Sequence, residues 1–445
     1  MQRENWASRL GFMLAAMGSA VGLGNIWRFS YVAGESGGGA FLILYIISVL
    51  VIAIPLLLVE VSIGRKAQSD IVGSYKKLAP KKPWFMVGYL GVAATFLILS
   101  FYSVIAGWSL YYWWQYVTGA MAKVPDIGFD GSFESFIAQD YAPLFWHALF
   151  MAITMAIVLV GVKKGIELAN KILMPVLAVM MIALAIYSVT LPGAKEGLLF
   201  LFEPDWSVLE DPAVYIAALG QAFFSLSLGI GTMMTYGSYL TKQHQLPGAT
   251  IGIGVMDTLF AIISGVVIFP AVFAFGIDPS SGPTLVFITL PEIFYQMQFG
   301  NIAGIVFFTA LTLAAISSSI SMLEVPVAYV MRAAKLSRKS ASFIIGLAVF
   351  ATGITVSLGM GRWSNITLVG DQNILDSIDF IASNVFMPLG GVTMALFMGW
   401  HFKKQEALDA ADLTNGKIGS IWFTIIKFIA PILIIIIFLN SIGIV

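Results

Sequence analysis

Long apolar segments alternate with short polar segments along the whole chain. An α-helix needs about 20 apolar residues to cross the roughly 30 Å hydrocarbon core of a bilayer. Segments of about this length occur at residues 10–32, 40–63, 84–117, 143–162, 166–191, 213–240, 248–276, 301–331, 341–360, 374–400 and 418–440. The pattern predicts an all-α polytopic membrane protein with eleven transmembrane helices, folded as a single domain over residues 1–445.

The composition agrees with this class and excludes several kinds of chemistry. Hydrophobic residues make up 59% of the chain and charged residues 11%, whereas soluble proteins carry about 25% charged residues. The chain has no cysteine, and its three histidines lie far apart without a zinc-binding spacing. Neither a Ser/His/acid constellation nor a paired catalytic aspartate motif stands out. We therefore expect no enzyme activity and no nucleic-acid partner.

The distribution of positive charge predicts how the chain sits in the membrane. If the N-terminus is cytoplasmic, 19 of the 24 Lys and Arg residues fall on the cytoplasmic side. Cytoplasmic segments carry such an excess of Lys and Arg. With eleven spans, the C-terminus is then expected outside. The N-terminal residues lead into a full span, so we expect no cleavable signal peptide.

Small residues interrupt two of the predicted spans, the first and the sixth. Residues 18–25 read Gly-Ser-Ala-Val-Gly-Leu-Gly-Asn, and residues 225–231 read Ser-Leu-Ser-Leu-Gly-Ile-Gly. Glycine disfavours a helix interior, and backbone groups freed inside a bilayer need partners from protein or cargo. A packing face of small residues is the alternative interpretation. Paired interruptions in two halves of a membrane chain indicate a transporter binding site.

The spacing of the two interruptions predicts the repeat organisation. They lie five spans apart, an odd number, so the second set of helices enters the membrane from the opposite side. This predicts a 5+5 inverted repeat, with a first half at about residues 6–191 and a second at about 213–400. Residues 418–440 then form an extra eleventh helix.

Several motifs resemble the neurotransmitter:sodium symporter family. They are Trp-Ala-Ser-Arg-Leu-Gly-Phe at residues 6–12, Trp-Arg-Phe at 27–29, Gly-Gly-Gly-Ala-Phe at 37–41, Gln-Ala-Phe-Phe-Ser-Leu-Ser at 221–227 and Phe-Ile-Thr-Leu-Pro at 287–291. Within the family the chain is similar to bacterial amino-acid transporters with eleven spans. The resemblance implies a leucine-transporter-like fold with helices 1 and 6 broken at the midplane. It also implies sodium-coupled symport into the cell by alternating access, in a bacterial inner membrane.

The resemblance also implies a substrate site between the broken helices. The amides of Leu23 and Gly24 and the hydroxyl of Tyr102 are expected to bind a substrate carboxylate, which suits the N-terminus of a half-helix. Carbonyl groups of the unwound stretches are expected to accept from the substrate amine. The whole expected substrate set is Ala20, Gly22, Leu23, Gly24, Ile98, Tyr102, Ile105, Phe224, Ser225, Ser227, Ile230, Ser318 and Met322.

Gly22 discriminates between substrate classes. Family members that carry monoamines place an aspartate at this position to pair the substrate amine. With glycine, the carboxylate must come from the substrate itself, so a zwitterionic amino acid is expected. The mostly apolar side-chain pocket predicts hydrophobic L-amino acids, aliphatic and aromatic. The alternatives are a sodium-dependent transporter of another small zwitterion, or a sensor or channel built on the same fold.

Two sodium sites follow from the same resemblance, and sodium is a hard cation that takes oxygen ligands. The first is expected to use Ala20, Asn25, Ser225 and Asp257, together with the substrate carboxylate. The second is expected to use Gly18, Val21, Ala314, Ser317 and Ser318.

Asp257 departs from the family pattern. Most members have asparagine there and balance the sodium charge with chloride or with a glutamate at the position of Ala261. An intramembrane carboxylate is expensive and indicates function. Tyr45, Gln221 and Ser225 match positions of the chloride site in animal relatives. Because Asp257 supplies the negative charge itself, we expect no chloride requirement.

Gating residues are implied on both sides of the substrate. Arg28 and Asp379 match the outer charged pair that closes above it, and Phe224 the aromatic lid beneath that pair. Arg3 and Trp6 match the N-terminal latch on the inner side. The usual acidic partner of the latch is replaced by Arg332, so the sequence leaves open how Arg3 is held.

Two further features of the spans bear on conformational change. Gly165 and Pro175 at the start of span five predict a hinge that unwinds, because glycine and proline both weaken a helix. A plain proline kink is the alternative. Glu60 in span two is expected to cap backbone groups freed in the broken helices.

Overall fold

The computed structural model describes residues 4–241, 245–279, 285–414 and 416–444. Within these residues the fold is built from helices, and nine of them are long and apolar enough to cross a membrane. A tenth span is formed by two helices that meet at a bend of 51°. The membrane helices are α1 (Arg9–Ala20), α2 (Gly24–Glu35), α3 (Gly39–Ala67), α4 (Phe85–Val117), α5 (Ala142–Val160), α6 (Val162–Val189), α7 (Pro212–Ser225), α8 (Thr232–Gly237), α9 (Leu246–Ala274), α10 (Gly300–Ala333), α11 (Arg338–Gly359), α12 (Ile374–His401) and α13 (Lys417–Ser441).

The predicted all-α polytopic fold is confirmed, whereas the number of eleven spans depends on how α7 and α8 are counted. The bent pair α1 and α2 forms the predicted first span. The predicted sixth span consists of α7, with 14 residues, and α8, with 6. Neither helix is long enough to cross a bilayer alone. Eleven spans therefore remain a prediction that requires α7 and α8 to cross together.

Both predicted helix breaks are present and occur at the small residues. In the first, α1 ends at Ala20 and α2 begins at Gly24. In the second, the chain between α7 and α8 takes positive φ angles at Ser227, Gly229 and Gly231, of 51°, 87° and 81°. Glycine adopts such angles without the steric cost that a side chain adds. The turn therefore forms where two glycines allow it.

Burial separates the helices at the centre of the bundle from those at its surface. In the most apolar window of α4 and of α10, 72% of the residues are buried, against 28% in α6 and 33% in α5. The outward faces of α5 and α6 carry large apolar side chains such as Phe145 and Val179, as a lipid-facing surface requires. The first break lies against α4 and α10, where Gly22 faces Tyr102 and Ser318, and the second lies against α4 and α12, where Ile230 faces Gly91 and Gly229 faces Met387.

Candidate binding site between the broken helices

A small cavity lies between the two helix breaks. It is lined by Ser19, Ala20, Gly22, Leu23, Gly24, Ile98, Tyr102, Phe224, Ser225, Ser227, Ile230, Ser318, Met322 and Met387. This set contains all the expected substrate residues except Ile105, which is buried on α4 but does not line the cavity. Ser19 and Met387 were not predicted. Ser19 lies inside the interrupted stretch and was recognisable there, whereas Met387 reaches the cavity only through the packing of α12.

One end of the cavity carries backbone donors at the first break. The amide of Leu23 donates to the Tyr102 hydroxyl at 3.3 Å. Gly24 follows directly and begins α2, so the positive end of a helix dipole faces the same place. The three groups expected to bind a carboxylate therefore lie together, and a helix N-terminus favours an anion there.

Gly22 lies so close to α4 and α10 that a side chain has no room. A Cβ atom built on it would lie 2.4 Å from the Ser318 hydroxyl and 2.9 Å from the Tyr102 hydroxyl. An aspartate at this position would have to displace both groups. Gly22 therefore leaves the hydroxyls of Tyr102 and Ser318 in the positions that a side chain there would disturb.

The opposite end of the cavity is apolar. Ile98, Ile230, Met322 and Met387 come from four different helices or breaks. Phe224, which is partly buried, closes this space towards the Arg28 side. The cavity therefore offers polar backbone groups to one part of a ligand and aliphatic or aromatic surface to another.

Asp257 lies at the centre of a buried polar cluster beside the cavity. Its carboxylate accepts from the Asn25 amide at 2.8 Å, from the Ser225 hydroxyl at 2.7 Å and from the Tyr45 hydroxyl at 3.4 Å. Asp257 and Asn25 are both fully buried. All these partners are neutral, so the carboxylate has no cationic side chain to pair with among the described residues. Asn25 faces the carboxylate with its NH2 group, while its side-chain oxygen accepts from the Gly22 amide at 3.1 Å. The carboxylate and the two hydroxyls supply oxygen atoms of the kind that a hard cation takes as ligands.

A second group of oxygens converges between the end of α1 and α10. The Ser318 hydroxyl lies 3.2 Å from the Gly18 carbonyl and 3.3 Å from the Val21 carbonyl. The Ser317 hydroxyl lies 2.8 Å from the Ala314 carbonyl and 3.5 Å from that of Val21. The five residues expected to form the second sodium site are thus assembled in one place, and all of them offer neutral oxygen atoms.

The predicted outer charged pair is not formed in this conformation. Arg28 and Asp379, both within the described residues, share no ion pair within 4 Å. Arg28 instead donates to the side-chain oxygen of Gln221 at 2.9 Å, and its guanidinium lies 4.5 Å from the centre of the Phe224 ring. Asp379 accepts from the Ser383 hydroxyl at 2.6 Å. The aromatic ring and the guanidinium above it cover the cavity from this side.

On the opposite side Trp6 is docked and buried. Its indole N–H donates to the Tyr236 carbonyl at 2.9 Å, and its backbone amide donates to the Tyr239 carbonyl at 3.3 Å. Both partners lie at the end of α8 or just after it. The N-terminal segment is therefore attached to the second half of the broken sixth helix. Arg3, the other predicted latch residue, lies outside the described residues.

Arg332 and Glu324 belong to two separate ion pairs that the sequence interpretation missed. The Arg332 guanidinium bonds both carboxylate oxygens of Asp70, next to the short helix Ile71–Leu78. The fully buried Glu324 accepts from the Tyr239 hydroxyl at 2.5 Å and from Arg338 at 2.7 Å. Glu324 lies in an apolar span, and an acid there is a signal of function that the sequence already contained.

The region around Gly165 has the close packing that a glycine permits. A Cβ atom on Gly165 would lie 2.1 Å from the Ile157 carbonyl oxygen, at the end of α5. The first turn of α6, Val162–Glu167, is π-helical, and a regular α-helix follows over Leu168–Val189. Pro175 lies inside this continuous helix. The hinge therefore remains a prediction, although α6 does begin with an irregular turn.

Glu60 makes the kind of contact that its position in span two led us to expect. It is buried, and its carboxylate accepts from the amide of Gly229 at 2.7 Å. Gly229 lies in the break between α7 and α8, where backbone groups have no helical partner. A side chain thus satisfies one backbone donor that the broken sixth helix leaves inside the membrane.

Two helix breaks, a cavity with one polar and one apolar end, and two oxygen clusters beside it define a membrane transporter that couples ions to a small solute. The description "Sodium:neurotransmitter symporter family" belongs to the family model that matches residues 3–124 and 139–445. The chain therefore belongs to this family.

Individual relatives agree along nearly the whole chain. An uncharacterized sodium-dependent transporter of Bacillus subtilis, YhdH, is 42% identical over 444 residues, which cover 99% of this chain and 98% of the relative. An uncharacterized sodium-dependent transporter of Haemophilus influenzae is 35% identical over 451 residues, with 99% and 98% covered. A crystal structure of MhsT in complex with L-phenylalanine superimposes with a TM-score of 0.92 at 59% identity, covering 99% of this chain and 100% of MhsT.

Proposed function

We propose that this protein is a symporter that couples inward movement of sodium to the uptake of hydrophobic L-amino acids, aliphatic and aromatic. The observation that carries the proposal is the cavity between the helix breaks. Leu23, Gly24 and Tyr102 offer donors for a carboxylate at one end, and four aliphatic or thioether side chains form the other. The complex of MhsT with L-phenylalanine supports the same substrate class, since that relative is 59% identical.

The absence of a side chain at Gly22 supports a zwitterionic substrate. A monoamine has no carboxylate to place against the amide of Leu23, and Gly22 has no side chain that supplies one in its place. An amino acid brings its own carboxylate. Its amine then has the carbonyl groups at Ala20, Phe224 and Ser227 as acceptors.

Two sodium ions are the proposed coupling ions. The first is held by Ala20, Asn25, Ser225 and Asp257 together with the substrate carboxylate, so that ion and substrate bind as one unit. Asp257 contacts the hydroxyls of Tyr45 and Ser225, two residues that match chloride-site positions of animal relatives, which supports the carboxylate as the negative charge at this place. We therefore propose that transport does not require chloride.

The second ion is held by neutral oxygens between α1 and α10. The carbonyl groups of Gly18, Val21 and Ala314 and the hydroxyls of Ser317 and Ser318 supply them. These residues come from a broken helix and from an unbroken one. An ion bound between them stabilises one relative position of the two helices.

Alternating access follows from contacts on the two sides of the cavity. Trp6 attaches the N-terminal segment to the end of α8, while Arg28 and Asp379 are apart. We propose that the opposite state forms that outer pair and releases Trp6. In this change one bundle of helices rocks against a fixed scaffold. The two five-helix repeats, at residues 6–191 and 213–400, together supply the helices of the bundle and the scaffold. The protein would lie in a bacterial inner membrane with its N-terminus in the cytoplasm.

Uptake into proteoliposomes tests this function. With an inward sodium gradient, radiolabelled L-leucine should accumulate saturably, and unlabelled Ile, Val, Phe, Tyr and Trp should compete while serotonin should not. Replacing the sodium gradient by potassium should abolish accumulation. Preference for a monoamine would contradict the zwitterion argument. Binding without accumulation would favour a sensor, and uptake without saturation would favour a channel.

A further inference from the structure

Asn170, on α6, has a buried side-chain oxygen that the proposed sites do not use. The residue is fully buried, and its Nδ2 donates to the Ile166 carbonyl, one turn earlier, at 2.9 Å. Its Oδ1 has no hydrogen-bond partner among the described residues. A buried polar atom without a partner is destabilising, because it has lost its hydrogen bonds to water and gained none in exchange. Such an atom calls for a partner, and none of the residues that the structure describes supplies one.

The orientation of this amide is fixed by its surroundings. The Ile166 carbonyl only accepts hydrogen bonds, so the NH2 group of Asn170 must face it and the oxygen must face away. Exchanging the two atoms would place two oxygens against each other and leave a buried NH2 group without an acceptor. The direction of Oδ1 is thus set by the hydrogen bond to the first turn of α6.

The Asn170 oxygen lies against Gly18, a residue of the second oxygen cluster. A Cβ atom on Gly18 would lie 2.0 Å from Oδ1 of Asn170 and 3.1 Å from the Cβ atom of Ser317. Gly18 is therefore in contact with the side chain of Asn170, and the side chain of Ser317 lies close to both. The Gly18 carbonyl also lies 3.2 Å from the Ser318 hydroxyl. The missing side chain of Gly18 is what lets α6 approach the cluster this closely.

We propose that Oδ1 of Asn170 is an additional oxygen of the second sodium site and stabilises the ion bound there. The inference rests on the sodium coupling proposed above. The residues expected from the sequence come from α1 and α10 alone, and all their oxygens are neutral. The negative end of a buried amide dipole adds favourable electrostatic energy for a cation. It also gives the oxygen the partner that it lacks.

The proposal has a structural consequence for α6. The same side chain that faces the ion site is bonded through Nδ2 to Ile166, in the irregular first turn Val162–Glu167. An ion that attracts Oδ1 holds Asn170 in place and, through it, this turn. Loss of the ion frees the side chain. Occupancy of the second site therefore stabilises the part of α6 that contains Gly165.

Sodium affinity of purified variants tests the proposal without relying on transport. The protein is titrated with sodium against potassium at constant ionic strength, and sodium binding is followed by 22Na+ and by the unfolding temperature. Asn170→Leu, which removes the oxygen at similar volume, should weaken binding at the second site about tenfold, corresponding to about 1.4 kcal/mol. Asn170→Asp keeps an oxygen at this position and adds a negative charge. The attraction of this charge for the cation opposes the conflict between its second oxygen and the Ile166 carbonyl, so sodium should bind as tightly as in the wild type or more tightly. Met174→Leu, one turn further along α6, is the matched control and should have no effect.

The two Asn170 variants separate the proposed role from a purely structural one. If Asn170 only anchors Ile166, both variants lose the NH2 donor and should weaken binding equally, which would overturn the proposal. Wild-type affinity in Asn170→Leu would overturn it as well. If the leucine variant does not fold, Asn170→Ala replaces it and the same outcomes apply.

Combination with variants of each ion site identifies which ion is affected. The effects of Asn170→Leu and Ser317→Ala should be less than additive, because both act on one ion. The effects of Asn170→Leu and Asp257→Asn should add. The reverse pattern would overturn the assignment to the second site. Wild-type protein that responds equally to sodium and potassium would contradict the proposed sodium coupling itself, and this outcome differs from every other one.

Discussion

At the scale of single residues, Tyr102 combines two features that place its hydroxyl at the centre of the proposed site. It accepts from the Leu23 amide at 3.3 Å and lies beside the space left by Gly22. Both features indicate that the hydroxyl and the amide can point at one carboxylate. A hydrogen bond to a charged group contributes about 1.5–3 kcal/mol.

Tyr102→Phe should therefore reduce amino-acid affinity about ten- to a hundredfold. The measurement is displacement of labelled L-leucine from purified protein in saturating sodium. Tyr111→Phe is the control, since Tyr111 lies on the same helix and bonds Gln115 outside the cavity. An unchanged dissociation constant for Tyr102→Phe would show that the hydroxyl does not bind the substrate and that Tyr102 only packs against its neighbours.

For Asp257 the structure predicts how loss of its charge changes sodium affinity and chloride dependence. Asp257→Asn preserves volume and one ligand oxygen but removes the charge that faces the proposed first ion. Removing one partner of a buried ion pair costs about 3–5 kcal/mol, so sodium affinity should fall about a hundredfold or more. Wild-type transport should be unaffected when gluconate replaces chloride. With Tyr45 and Ser225 still in place, chloride is expected to restore part of the activity of the variant.

Two observations would contradict this assignment. Stimulation of wild-type transport by chloride would show that Asp257 does not replace the anion. Normal sodium affinity in Asp257→Asn would show that its charge does not contribute to ion binding. Asp130→Asn is the matched control, because Asp130 is exposed on the separate helix Phe129–Ile137.

At the scale of helices, the starts of α1 and α6 hold each other through two carboxylates. Glu4 accepts from the backbone amide of Val162, at the start of α6. Glu167 accepts from the backbone amide of Ala7 at 2.7 Å and from the Ser8 hydroxyl at 3.1 Å, at the start of α1. Each helix start thus has a cap supplied by the other, and release of one weakens the other.

Hydrogen–deuterium exchange measures this coupling. Residues 162–174 should exchange faster in potassium than in sodium, since ion binding stabilises the helices around the second site. Glu4→Ala removes one cap, which typically contributes about 1 kcal/mol, so exchange of this segment should become about fivefold faster. Glu134→Ala, an exposed residue on the separate helix Phe129–Ile137, is the control. Equal protection in both ions and in both variants would favour a rigid kink at Pro175.

At the scale of the whole molecule, the charge distribution predicts the direction of insertion. The chain contains no cysteine, so single cysteines can be introduced without altering native ones. Lys81, between α3 and α4, and Lys195, after α6, are both exposed. With a cytoplasmic N-terminus, a membrane-impermeant maleimide should label Lys195→Cys in intact cells and Lys81→Cys only after permeabilisation. The opposite labelling would reverse the proposed orientation.

Much of the architecture is determined by local sequence. Inside a bilayer each backbone polar group must find its partner within the helix, so a span and its interruptions depend on neighbouring residues and are visible in the hydropathy pattern. This is why the breaks at Gly22 and Gly229 coincide with their small residues. The family motifs then indicated nearly all the residues that line the cavity.

The tertiary structure decided which distant side chains meet. Met387 lines the cavity and the predicted Ile105 does not, and Arg28 donates to Gln221 and forms no ion pair with Asp379. Arg332, which the sequence left without a role, pairs with Asp70. These contacts join residues far apart in the chain, and their formation depends on the packing of whole helices. The direction of the Asn170 oxygen towards Gly18 is a result of the same kind, because only the approach of α6 to α1 produces it.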